Sequence, residues 1–145
     1  MKLIIAGSRT IDKYRGFYEA IDQFCIGFDS EEGVFDCRHF DIHEFVTGEC
    51  ELGADQIPRM LMKLTYIEDY EFPITSFKPD WGTHGRAAGP IRNREMAKYG
   101  DALLLIWDGA SRGSANMKQE MIKLGKPVYE VILKQHNAVT DTEEL

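Results

Sequence analysis

Ala102-Leu103-Leu104-Leu105-Ile106-Trp107 is a six-residue run without a polar side chain, and it constrains the fold more than any other stretch. It is far too short to span a bilayer, which takes about 20 apolar residues. It lacks the polar alternation of a strand with one face in water, so it reads as a strand buried on both faces. That is the position of a strand in a parallel sheet covered by helices. Less purely apolar runs at residues 2–6, 43–47, 73–77 and 128–133 read as further strands of the sheet.

The segments between these runs have helical spacing. Phe17, Tyr18, Ile21, Phe24, Cys25 and Phe28 place a helix over residues 14–28. Ile57, Met60, Leu61, Leu64 and Ile67 place another over 53–69, with Pro58 near its start, where proline is tolerated. A helix over 90–99 carries Pro90 in its first turn, and one over 114–124 is closed by Gly125 and stopped by Pro127. Residues 29–41 are polar, contain Gly33, and read as a connection. The alternation of strand and helix predicts an α/β fold with a doubly wound parallel sheet.

The chain has 145 residues, 43% of them hydrophobic, which fits one domain with a proper core, placed at residues 1–136. The polar, acidic stretch at 137–145 reads as a flexible tail. The first aliphatic run is too short for a signal-peptide core, so a cytoplasmic location is expected, with no membrane partner. The cysteines Cys25, Cys37 and Cys50 are odd in number and form no Cys-x-x-Cys pair, so reduced thiols are expected in place of a disulfide or zinc site. The net charge of −7 argues against a nucleic-acid partner, which requires a basic face.

Against that acidic background, Arg9, Arg86, Arg92, Arg94 and Arg112 lie in or beside glycine-containing connections. Gly7-Ser8-Arg9-Thr10, Thr47-Gly48-Glu49, Pro79-Asp80-Trp81-Gly82 and the loop 108–114 each follow a strand. They should converge on the carboxyl edge of the sheet, where ligands collect in open parallel sheets. Gly109 and Gly113 allow close backbone approach before the helix that starts at Ser114. Its N–H groups, the hydroxyls of Ser111 and Ser114, and Arg112 could together hold a phosphate. The same residues also suit an ordinary strand-to-helix turn capped by serine. Arg92 and Arg94, on the first turns of a helix, read either as anion contacts or as a solvated basic face. Arg86 reads as a second anion contact or as a loop arginine. Trp81 reads as a stacking platform for a base or as a lid over the core. Asp55 and Glu49 could accept hydrogen bonds from ribose, and Asp55 could equally cap a helix. His39 and His43 lack the carboxylate or cysteine partners that a metal site needs. His84, near Trp81 and Arg86, is the one histidine placed to serve as a proton donor or ligand contact. Walker, HExxH and Gly-x-Ser-x-Gly motifs are absent from the sequence.

Several elements together resemble the YspA/cpYpsA-related branch of the SLOG superfamily. They are Gly7-Ser8-Arg9, Thr47-Gly48 with Gly53-Ala54-Asp55, Trp81 with Gly85-Arg86-Ala87-Ala88-Gly89-Pro90-Ile91-Arg92-Asn93, and Asp101 with Gly109-x-Ser111-x-Gly113-Ser114. The resemblance covers about residues 2–133. It implies a Rossmann-like domain, with a mostly parallel sheet and helices on both faces, that binds nucleotides or nucleotide-derived small molecules. Members of the branch are common in bacteria and phages. SLOG proteins often pair through helices, which implies a homo-oligomer, with Met60, Leu61, Met62 and Leu64 as a candidate face.

A related branch, the lysine-decarboxylase-like LOG enzymes, cleaves the N-glycosidic bond of nucleoside monophosphates. Its Arg-Lys-x-x-Met and Pro-Gly-Gly-x-Gly-Thr-x-x-Glu elements are similar to Arg92-Asn93-Arg94-Glu95-Met96 and to Gly113-Ser114-Ala115-Asn116-Met117. Met117 stands where that branch has its catalytic glutamate, and a thioether can serve neither as acid nor as base.

The expected ligand contacts are therefore Gly7, Ser8, Arg9, Gly48, Asp55, Trp81, Arg86, Arg92, Asn93, Gly109, Ser111, Arg112, Gly113 and Ser114. The expected function is a sensor or sequestering protein for a nucleotide or ADP-ribose-like molecule, with neither cofactor nor metal. Two alternatives stand beside it. One is a nucleotide N-glycosidase (phosphoribohydrolase), with Arg92 positioning the substrate and Glu95 or Glu120 as the carboxylate. The other is a structural or interaction domain with a vestigial pocket.

Overall fold

A computed structural model describes residues 1–24, 27–29, 34–36, 41–48, 53–64 and 72–133. The central sheet has five parallel strands. β1 (Lys2–Gly7), β5 (Glu44–Thr47), β6 (Ile74–Ser76), β7 (Ala102–Trp107) and β8 (Val128–Ile132) lie in the spatial order β6-β5-β1-β7-β8. α1 (Lys13–Phe24) and α2 (Ile57–Leu64), the latter entered through a 3-10 turn at Gly53–Gln56, pack together on one face. α4 (Ala88–Tyr99) and α5 (Arg112–Lys123) pack together on the other. The result is an α/β, doubly wound, Rossmann-like fold.

Every residue of β7 is buried, as a run apolar on both faces requires. With Leu3, Ile4 and Ile5 of β1 and Phe45 and Val46 of β5, it forms the sheet's contribution to the core. Phe17 and Ala20 of α1 cover one face, and Met96, Ala97, Met117 and Met121 of α4 and α5 cover the other. Burying a side chain of this size contributes roughly 1.5–3 kcal/mol, so this layered core dominates the stabilisation.

Three expectations from sequence need correction. The first helix ends at Phe24, and the segment read as its end plus a polar connection contains a second, three-stranded antiparallel sheet. Its strands are β2 (Gly27–Asp29), β3 (Val34–Asp36) and β4 (Asp41–Ile42). Phe28 stands in register with Phe35, and Phe35 with Ile42, so Phe28 belongs to a cross-strand row and not to a helical stripe. His43 lies in the bend between β4 and β5, not on a strand. Trp81, expected in a loop, begins the short helix α3 (Trp81–His84), because the Asp80 carboxylate accepts the Thr83 N–H at 3.1 Å and caps the turn. The three cysteines, Glu49, His39 and the 137–145 tail lie outside the described residues, as do the side chains of Leu61, Met62 and Leu64.

Among the described residues, no helix is long and apolar enough to cross a membrane.

Candidate functional site

From β1 the chain winds outward to β5 and β6, then crosses back to β7 and β8 on the opposite side of β1. The connections leaving β1 and β7 therefore diverge, and a crevice opens at the carboxyl ends of these two adjacent strands. A cleft of about 760 Å³ lies there, within the range of roughly 300–1,000 Å³ typical of small-molecule sites. Its walls come from four strand ends: Gly7 to Thr10 after β1, Gly48 after β5, Lys78 and Pro79 after β6, and Ser111 to Ser114 after β7. Asp55, Trp81, Arg86, Gly89, Pro90, Arg92 and Asn93 complete them, and Ala6, Met96, Asn116 and Met117 also line the cleft.

Gly7 is dictated by close approach. A Cβ there would stand 1.6 Å from the Ile106 carbonyl oxygen, so only glycine lets β1 and β7 run together to their ends. The chain then turns at Ser8, whose hydroxyl ties the two strand ends together. Ser8 Oγ accepts the Asp108 N–H at 3.1 Å and lies 2.7 Å from Ser111 Oγ.

The loop after β7 divides into two halves. Asp108 Oδ1 accepts the N–H groups of Ala110 and Ser111, each at 2.9 Å, and the Ser111 hydroxyl at 2.8 Å. Thr10 Oγ1 donates to Asp108 Oδ2 at 3.2 Å. The Ala110 N–H first, then the Ser111 N–H and the hydroxyls of Ser111 and Ser8, hold the Asp108 carboxyl well below the usual carboxylate range. The turn thus satisfies its own donors, and Gly109 within it does not line the cleft. The second half is different. Ser111 is the N-cap residue of α5, but its hydroxyl is turned to Asp108 and Ser8 and makes no capping bond. Gly113 and Ser114, in the first turn of that helix, line the cleft without a cap from this side chain.

Arg92 crosses from α4 to the end of β5. Its Nη1 donates to the Gly48 carbonyl at 2.7 Å, and its Nε donates to Asn93 Oδ1 at 3.0 Å. Asn93, buried between α4 and α5, donates its amide N–H groups to the Gly113 carbonyl at 3.2 Å and to Asn116 Oδ1 at 2.9 Å. Asn93 thereby fixes the first turn of α5 relative to Arg92. A Cβ on Gly48 would stand 2.5 Å from Arg92 Nη1 and 3.2 Å from Asp55 Oδ2, so guanidinium and carboxylate converge on this glycine.

The charge of the lining is one-sided. Arg9, Lys78, Arg86, Arg92 and Arg112 face a single described acid, Asp55. Arg9, Lys78, Arg86 and Arg112 make no ion pair among the described residues, while Arg94, outside the cleft, lies 3.7 Å from Glu120. Trp81 is 57% exposed at the rim, and its Cη2 lies 3.6 Å from where a Gly89 Cβ would stand. It is no lid over the core.

All the ligand contacts expected from sequence line the cleft except Gly109. The two carboxylates of the hydrolase alternative do not. Glu95 is exposed on α4, and Glu120 is buried between Arg94 and Lys123, with Lys123 Nζ at 3.3 Å. Met117 does line the cleft, almost fully buried. His84 is exposed on α3, outside the lining. Sequence reasoning passed over Thr10, Lys78, Met96 and Asn116. The position of Lys78, directly after a strand and three residues before Trp81, was the available signal for the most consequential of them. Among the described residues, no cluster of three histidine, cysteine or acidic side chains could hold a metal ion.

No family model, curated protein or solved structure matches this chain.

Proposed function

We propose that this chain binds a nucleotide or nucleotide-derived small molecule in the cleft between β1 and β7, as a sensor or sequestering protein of the SLOG type. The observation that carries the reading is the cleft's excess of cations, five against one acid among the described residues, set against a helix start whose capping serine is engaged elsewhere. Phosphate oxygens would accept from the first-turn N–H groups of α5 and pair with Arg9 and Arg112. The rim indole of Trp81 offers an aromatic face for a base. In this reading the protein acts in the cytoplasm and pairs with a second copy of itself.

That Arg9, Lys78, Arg86 and Arg112 make no ion pair among the described residues favours a working site over a vestigial one. The hydrolase alternative is weakened because Glu95 and Glu120 do not line the cleft and Met117 does. Asp55 is the one described carboxylate there.

The test is calorimetry of the purified protein against the four ribonucleoside 5′-monophosphates, with mass spectrometry of small molecules released on denaturation. Saturable binding that Arg112→Ala weakens supports the reading. Absence of binding to every nucleotide, with nothing released, overturns it.

A further inference from the structure

The cations of the cleft leave the backbone at separate points along the sheet edge. Arg9 lies two residues past the end of β1, and Lys78 lies two residues past the end of β6. Those strands are separated by β5. At about 4.8 Å between neighbouring strands, the two backbone positions stand roughly 10 Å apart across the sheet edge. Arg112, beyond β7, lies on the far side of Arg9 from Lys78. Arg86 belongs to the same β6-to-α4 connection as Lys78.

Between the two ends the character of the lining changes. Gly48 and Asp55 lie there, beyond the end of β5, with the Arg92 guanidinium donating to the Gly48 carbonyl. There the Asp55 carboxylate and the Arg92 guanidinium converge on Gly48, so their charges offset and an anion is drawn less to this point than to either end, while carboxylate oxygens accept hydrogen bonds from hydroxyls. The lining thus runs from positive, to hydroxyl-accepting, to positive.

Resting on the nucleotide reading above, we infer that the ligand is a bisphosphorylated nucleotide. Its two phosphate groups are separated by a sugar and not joined in one polyphosphate chain. One phosphate meets Arg9, Arg112 and the start of α5. The other meets Lys78 and Arg86, and the one hydroxyl left free on the sugar between them faces Asp55. A contiguous 5′-diphosphate sets both phosphate groups on one side of its sugar, so with the sugar at Asp55 it leaves one cationic end unmet. The acidic exterior of a chain with net charge −7 suits a small ligand better than a long polyanion.

The experiment first finds which ribonucleoside 5′-monophosphate binds most tightly. It then compares the 5′-diphosphate and the 3′,5′-bisphosphate of that nucleoside by calorimetry, on the wild type and on Lys78→Ala, Arg86→Ala and Arg112→Ala. The bisphosphate is expected to bind roughly tenfold or more tighter than the monophosphate and also tighter than the diphosphate, as added charge-assisted hydrogen bonds require. Lys78→Ala and Arg86→Ala should cut the bisphosphate's advantage, and Arg112→Ala should weaken both ligands alike. Equal binding of mono- and bisphosphate, or a diphosphate that binds best, overturns this inference and leaves the nucleotide reading standing. Failure of all the nucleotides to bind overturns both.

Discussion

Arg92 on α4 and Gly48 at the end of β5 are joined by a 2.7 Å hydrogen bond from the guanidinium to the main-chain carbonyl. The bond sets the position of a cation in the cleft, and it leaves no room for a side chain on the glycine. In Gly48→Ala the new methyl would meet Nη1 at 2.5 Å and Cζ at 2.9 Å. Both belong to the far end of a flexible side chain, so the guanidinium moves and the fold survives. The expected outcome is a loss of nucleotide affinity of roughly tenfold with a stability change within about 1 kcal/mol. In Gly7→Ala the obstacle is the Ile106 carbonyl, which cannot move without breaking the β1–β7 pairing. That variant should lose more than about 3 kcal/mol or fail to fold. Denaturant melts and calorimetry on the pair separate a site glycine from a fold glycine.

Asp108 predicts a pH dependence. Its carboxyl is held below its ordinary value of 3.8 by the N–H groups of Ala110 and Ser111, then by side-chain hydroxyls. A depressed folded-state pKa contributes stability that is fully present above the unfolded-state value and is lost as pH falls below it. Asp108→Asn keeps an acceptor oxygen and loses the charge, so it should be less stable than the wild type at pH 7. The gap between the two should narrow as pH falls below about 4. Urea midpoints measured from pH 7 to pH 2.5 check this. A gap that stays constant would remove Asp108 as the cause.

Lys126 seals the opposite end of α4. Its ammonium donates to the carbonyls of Ala97 at 2.7 Å, Lys98 at 3.0 Å and Gly100 at 2.7 Å, all near the helix's C-terminus. A cation there also complements the negative end of the helix dipole. Lys126→Met keeps the aliphatic stem and should cost about 1–2 kcal/mol of stability. The twelve residues of α4 span about 18 Å, which puts this end far from the cleft, so nucleotide affinity should not change. A thermal melt paired with a binding isotherm tests both halves of the statement.

What could be read from the sequence follows from how local each cause is. The six apolar residues of β7, and the glycine-rich stretches after β1 and β7, carry their reason in their own composition, so the parallel sheet and its carboxyl-edge loops were legible. The small antiparallel sheet was not. Its strands have two or three residues each, too short for any pattern to show, and only their backbone pairing with one another identifies them as strands. Asp108 entered only as the first residue of the loop 108–114. Its carboxylate takes up N–H groups two and three residues on, which is local, but that Ser8 comes from a hundred residues away to accept the Asp108 N–H is visible only in the fold. Glu120 shows the converse limit. Its spacing one helical turn after Met117 suggested the cleft, but its burial against α4, beside Arg94, comes from packing that no local pattern encodes.

Trp81 supplies a direct reading of occupancy. The protein has two tryptophans, and they differ sharply: Trp81 is 57% exposed at the cleft rim, whereas Trp107 is 7% exposed and donates its Nε1–H to Glu130 at 2.7 Å. Acrylamide should therefore quench mainly Trp81 in the free protein. A nucleotide stacked on the indole shields it and should lower the quenching constant, while Trp107 contributes a constant background. Trp81→Phe retains an aromatic face and should hold affinity within about threefold, whereas Trp81→Ala should lose roughly tenfold or somewhat less, the scale of one aromatic contact. Quenching that does not change at saturating nucleotide, with full affinity in Trp81→Ala, would place the base elsewhere in the cleft.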